Sequence, residues 1–267
     1  MIQFQLRGVN DMIDIIKAKE VFKEYVKNYN PEDPQIELKI SHIQRVADVA
    51  RKTAQYLELS EEDIGLAELI GLLHDIGRFE QIKQYHTFID KKSINHGEFG
   101  AKLLFEEGLI RNFIDDNQYD NIIKNAILNH NRAKIDSSLS ERELLHAKII
   151  RDSDKTDILY ILTFDKTKTC YGVEDFTNQK FTDEIYREFI EDRIINYANM
   201  ENEADILVAH FAYIFDFYYE YGLKVVKENE YMDKLYKRYV FKDEETMERY
   251  TKIYEDVSSY IEKRIKI

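Results

Sequence analysis

The segment Leu72-Leu73-His74-Asp75-Ile76-Gly77-Arg78 decides the reading of this chain. Two leucines lead into a histidine and an aspartate, and a glycine follows two residues later. The apolar approach belongs to a helix that runs through Leu73, with Ser60 followed by Asp63 as its N-cap signal. Gly71 and Gly77 flank the His-Asp pair. A glycine costs a helix interior about 1 kcal/mol, so its presence there points to close approach by a neighbouring helix.

On the N-terminal side, residues 11–28 read as an amphipathic helix. The stretch Asn30-Pro31-Glu32-Asp33-Pro34 breaks it, because proline resists helix and restricts its predecessor. A second helix spans about Gln35 to Leu57, with Ile43, Val46, Ala47, Ala50, Ala54 and Leu57 in one apolar stripe. His42 stands at the edge of that stripe, one turn before Val46. On the C-terminal side, residues 76–92 read as a loop with one short turn. A helix then starts near Ser93 or Asn95 and runs to about Glu107, where Gly108 stops it. The next covers about Asp120 to His130, and His130 continues its inward row Ile123, Ala126, Ile127. Ser140 and Glu143 form a capping-box pattern that opens a long helix from Glu141 to about Phe164. Asp154 falls in its row Ala147, Ile150, Ile158, Ile161. Residues 165–178 read as irregular, and the rest as helical.

Composition agrees with an all-α fold. The 267 residues include only 2 Pro and 9 Gly, too few breakers for a strand-and-turn protein. The net charge of -13 repels phosphate backbones, so nucleic acid is not an expected partner. A single cysteine, Cys170, excludes a disulfide framework and a cysteine-rich zinc module. The first twenty residues lack a secretory pattern, and no apolar run approaches the ~20 residues of a membrane span. The expectation is a cytoplasmic chain with no membrane partner. Met247, Tyr250, Tyr254, Val257 and Ile261 step by three and four. That stripe packs on the chain's own core or pairs a homodimer. With no repeat or linker visible, one helical domain over 1–267 is expected.

The chemistry lies in inward-facing polar residues. A lone histidine on an apolar face is usually a satisfied core residue. A carboxylate there is costly unless paired or bound to a cation. The ordered set His42, His74-Asp75, Asp154, each on its own helix, points to one shared ion. No His-Glu-x-x-His motif occurs, which disfavours a zincin. Glu143-x-x-His146 is a lone Glu-x-x-His pair, so a ferritin-like di-iron bundle is disfavoured too.

This ordering resembles the HD superfamily of metal-dependent phosphohydrolases. The segment 72–78 is similar to its central motif, and Ile150-Arg151-Asp152-Ser153-Asp154-Lys155-Thr156-Asp157 to its closing aspartate motif. His42 with Arg45 and Val46 resembles its opening histidine helix. His96-Gly97-Glu98-Phe99-Gly100-Ala101 resembles the extra histidine helix of two-metal members, with His130 as their next histidine. The resemblance covers about residues 35–165, leaving about 179–267 as a helical extension. It implies a helical bundle in which His42, His74, Asp75 and Asp154 hold a first divalent metal. Asp75 would bridge to a second held by His96 and His130. Imidazole and carboxylate ligands suit Fe or Mn, with Co, Mg or Ni as further options.

Asp75, Arg78 and Lys155 are the expected catalytic group, with the two cations on the phosphate. His86 would line the pocket, and Asp157 would orient a ligand histidine. His146 and His210 read as structural. The implied function is hydrolysis of a small phosphorylated molecule, a nucleotide foremost, by metal-activated hydroxide attack on phosphorus. Two alternatives share the ligand set: an HD-fold di-iron oxygenase and a non-catalytic metal-binding sensor.

Overall fold

A computed structural model describes residues 13–265. Residues 11 and 12 of the first expected helix, and most of the stretch read for a leader, lie outside the described residues. Among the described residues there is no strand, and the fold is all-α as composition implied. None of their helices is long and apolar enough to cross a membrane. The chain divides into two compact units, residues 1–154 and 155–267.

In the first unit, α1 (Ile15–Val26) is capped by Asp14, whose carboxylate accepts from Lys17 N at 2.9 Å. Helix α2 (Pro34–Tyr56) starts one residue earlier than expected. Proline suits the first helical position, and Asp33 accepts from Gln35 N at 2.9 Å. Ser60 caps α3 (Glu61–Leu73) through Asp63 N. Helices α2 and α3 lie so close that a Cβ on Gly71 would stand 2.6 Å from Ala47 Cα. The stretch after Asp75, expected as a loop, is instead a helix, α4 (Gly77–Tyr85). Phe79 and Ile82, three residues apart, are buried on its inner face, and the Phe79 ring lies 5.2 Å from that of Tyr29. Two buried side chains outweigh the glycine and the charges that argued for a loop.

Asn95 caps α5 (His96–Ala101), accepting from Gly97 N and Glu98 N. The chain continues as a wider π-helical stretch, Lys102–Glu106, and stops at Gly108 with φ +81°. A short α6 (Ile110–Phe113) precedes α7 (Asp120–His130). The capping box stands as expected at α8 (Glu141–Phe164), with Glu143 accepting from Ser140 N at 2.8 Å. The unit's core gathers Phe22, Ile43, Leu69, Phe79, Phe113 and Ile127.

The second unit has its own core, with Phe176, Phe189, Phe211 and Tyr250 fully buried. Its helices are α9 (Thr167–Tyr171), α10 (Asp183–Glu191), α11 (Glu203–Ala212), α12 (Glu220–Glu228), α13 (Tyr231–Arg238) and α14 (Glu244–Ile265). The segment expected as irregular therefore holds a short helix, α9. On α14, Tyr250, Val257 and Ile261 are buried in this core, and Met247 and Tyr254 pack against it. Arg238 closes the end of α8 by donating to the carbonyls of Leu162, Thr163 and Asp165.

Candidate metal centre

The first unit brings together all six residues that the sequence marked as ligands. His42 comes from α2, His74 and Asp75 from the end of α3, His96 from the first turn of α5, His130 from the last of α7, and Asp154 from α8. Their arrangement centres on Asp75. Its Oδ2 lies 3.5 Å from Nε2 of His42 and 3.7 Å from Nε2 of His74. Its Oδ1 lies 3.4 Å from Nε2 of His96 and 3.7 Å from Nε2 of His130. One carboxylate thus divides its two oxygens between two histidine pairs. Asp154 joins the first pair, with Oδ1 at 3.1 Å from His42 and 3.7 Å from His74. Two buried groups that could each hold a metal result: His42, His74, Asp75 and Asp75, His96, His130.

These distances fit a shared cation better than hydrogen bonds. Ligand atoms about 2.1 Å from one ion stand about 3 Å apart at right angles and about 3.4 Å apart tetrahedrally. Nε2 of His74 is buried and has no hydrogen-bond partner. The outer ring nitrogens explain why the inner ones carry lone pairs. Nδ1 of His74 donates to Gly71 O at 2.8 Å, Nδ1 of His130 to Ile127 O at 2.6 Å, and Nδ1 of His96 to the Asp90 carboxylate at 2.7 Å. Each acceptor fixes the proton on Nδ1 and leaves Nε2 with a lone pair. Burial, and then the nearby Arg78 guanidinium, bring His96 down to about 4 against the pull of Asp90 and Asp75. In neutral rings, Nε2 of His96 and Nε2 of His130 face each other lone pair to lone pair at 2.9 Å. Such a pair repels unless a cation shares it. The residues therefore fit a metal.

The carboxylates are ready as ligands. Burial is the strongest single influence and pushes Asp75 up, but the Lys39 ammonium and the site histidines together outweigh it and hold the carboxyl well below the usual range. Burial acts on Asp154 the same way and is outweighed by His42 and His74. Burial likewise raises Asp90, and His96 with Arg78 hold it low.

Of the further residues named from the sequence, Arg78 lies beside the centre, its Nε 3.6 Å from Asp75 Oδ1. Its Nη1 donates to Gln81, to Phe88 O and to Asp90. Lys155 belongs to the second unit and pairs there with Asp216 at 2.8 Å, its ammonium 5.9 Å from the Tyr213 ring centre. His86 is exposed and caps α4 in the left-handed conformation, φ 54°. Asp157 is buried on α8, one turn after Asp154. His146 holds Asp63 at 3.0 Å, and His210 stands 3.3 Å from the Tyr171 hydroxyl, in keeping with structural roles.

Two residues of the centre escaped the sequence reading. Lys39 sits one turn before His42 on α2, and its ammonium is 2.7 Å from Asp75 Oδ2. Its spacing of three from His42 was the available signal. Asp90 opens a three-residue 3-10 turn, Asp90–Lys92, too short for periodicity, and had no signal beyond its charge.

No curated protein and no solved structure matches the chain. The family model of the HD domain matches residues 40–159, the span that contains all six residues of the centre. HD domains are all-α and generally belong to hydrolases. Over residues 40–159 the chain is similar to the HD domain family.

Proposed function

We propose that the chain is a dinuclear metal-dependent phosphohydrolase acting on a small phosphorylated molecule, a nucleotide foremost. The observation that carries this reading is the division of Asp75 between two histidine pairs. A carboxylate used by one ion has no need of histidines on both oxygens. His42, His74, Asp75 and Asp154 would hold one divalent ion, and Asp75, His96 and His130 the other. Iron or manganese suits this nitrogen and oxygen set without thiolate. When bound, such ions lower the pKa of water and take up charge on a phosphoryl oxygen.

The chain's own residues do the rest. The three Nδ1 anchors hold the imidazoles with Nε2 inward. Asp90 holds His96 and Arg78 together, so the guanidinium stays beside Asp75, where it can meet phosphate charge. Buried walls exclude bulk water and strengthen each of these interactions.

Elemental analysis of protein purified without chelator tests the ligand set. About two ions per chain are expected, and their loss in Asp75→Ala. Full retention in that variant removes the reading. Parallel screens for phosphate release and for oxygen uptake then distinguish the hydrolase from an oxygenase built on the same ligands.

A further inference from the structure

Asp75 Oδ2 has two claimants. It faces His42 and His74, where a divalent ion is proposed, and it accepts a hydrogen bond from the Lys39 ammonium at 2.7 Å. The Lys39 side chain is 16% exposed, so its charge is largely withdrawn from water. An ion that takes the Oδ2 lone pair weakens the acceptor on which Lys39 depends. It also places two positive charges beside a third. A divalent ion about 2.1 Å from Oδ2 lies within about 4.8 Å of an ammonium 2.7 Å from the same oxygen, and that repulsion is equivalent to at least about tenfold in affinity even at the dielectric constant of water.

The two basic residues near Asp75 differ in freedom. Arg78 is tied by Nη1 to Gln81, Phe88 O and Asp90, whereas Lys39 hydrogen-bonds to Asp75. Both cations lie against the Phe88 ring, Lys39 at 5.4 Å and Arg78 at 5.5 Å from its centre. A lysine on a flexible stem that loses its carboxylate beside a fixed guanidinium is placed to bind an anion.

We propose that Lys39 is an exchangeable cation of the centre. It is the counter-ion of Asp75 in the metal-free protein, and on metal entry it releases Asp75 and binds a phosphoryl oxygen of the substrate. The second half of this proposal rests on the phosphohydrolase reading above. Metal-free protein stays folded because Asp75 keeps a partner, and the anion subsite forms once metal has entered.

Calorimetric titration with manganese, followed by inorganic phosphate on the loaded protein, tests the exchange in the wild type, Lys39→Met and Lys39→Arg. Lys39→Met should bind manganese about tenfold more tightly, since the competing charge is gone. It should bind phosphate about tenfold more weakly. Lys39→Arg keeps the charge and should stay within about twofold of the wild type for manganese, which separates charge from packing. Unchanged or weaker manganese binding by Lys39→Met, or unchanged phosphate binding, overturns the proposal. The wild type gives an independent reading: phosphate should bind only after manganese, and equal binding to metal-free protein also overturns it. None of these titrations requires turnover. Failure to find a hydrolysed ester would count against the function and leave the exchange standing, whereas turnover with Lys39→Met titrating like the wild type would do the reverse.

Discussion

Replacing Gly77 with alanine should disable one half of the centre and spare the other. Gly77 opens α4 directly behind His74 and Asp75, and the start of α5 lies against it. A Cβ at position 77 would stand 2.5 Å from His96 O and 2.6 Å from Gly100 N. Both are backbone atoms, so no side-chain rotation relieves the clash. Ordinary contact requires α5 to retreat by about 1 Å, and overpacking of this kind costs about 1–3 kcal/mol. Tm falls by about 2–4 °C for each kcal/mol in a protein of this size. The functional effect is sharper, because His96 travels with α5. Its Nε2 is 3.4 Å from Asp75 Oδ1, and a metal site tolerates displacements of only about 0.5 Å. The three atoms nearest the new methyl group all belong to α5, and none to α2, α3 or α8, which carry His42, His74, Asp75 and Asp154. Titration with manganese, monitored by elemental analysis after gel filtration, should find about one ion per chain in Gly77→Ala against about two in the wild type. Two ions at wild-type affinity, with an unchanged Tm, would refute the claim that this close approach positions His96.

Two further outcomes follow from the hydrogen bonds. Asp90→Ala removes the acceptor that fixes His96 Nδ1, and should weaken the second ion about 10–100-fold in a manganese titration while leaving the first unchanged. Equal loss at both sites would show that Asp90 supports the whole fold instead. In the second unit, burial lowers His210 to about 4. Its folded pKa is below its unfolded value near 6.5, so the unfolded chain binds the proton first. Stability from this residue is present above pH 6.5 and lost as pH falls toward 4. Between pH 7 and 5 the loss attributable to His210 is about 1–2 kcal/mol. Urea denaturation of the wild type and His210→Phe at both pH values should show the wild type losing that much more than the variant, and equal losses would exclude His210 as the cause.

Much of the site was legible in the sequence because His42, His130 and Asp154 are polar residues on otherwise apolar helical faces, whereas His96, at a helix start, was marked only by the resemblance to two-metal members. Asp154 within its isoleucine row and His130 after Ile127 break a pattern that periodicity makes visible. What the sequence hid obeys no period. Asp90 acts from a single 3-10 turn, and its partnership with His96 and Arg78 exists only after α4 and α5 have packed. Helix α4 was obscured because Gly77 looks like a terminator, whereas its lack of a side chain serves the contact with α5. Lys39 looked like any solvated charge, since one turn of α2 had to be placed over Asp75 before its partner could be recognised. The separate core of the second unit was hidden for a related reason: aromatic residues such as Phe176, Phe211 and Tyr250 lie far apart in the chain and share a cluster only in three dimensions.

The three Nδ1 anchors have a consequence for how the proposed ions would be acquired. In a zinc finger the metal itself gathers the ligands, and removing it unfolds the chain. Here Gly71 O, Ile127 O and Asp90 hold the rings in place through the fold's own bonds. The ordering entropy of the ligands is met during folding, so loading is a docking event on a finished cradle. A cradle that does not depend on its occupant can exchange it, and identity then follows from which divalent ion the surroundings supply and how tightly nitrogen and oxygen donors hold it. On the proposed reading, the same chain is expected to be emptied, refilled and compared ion by ion without refolding.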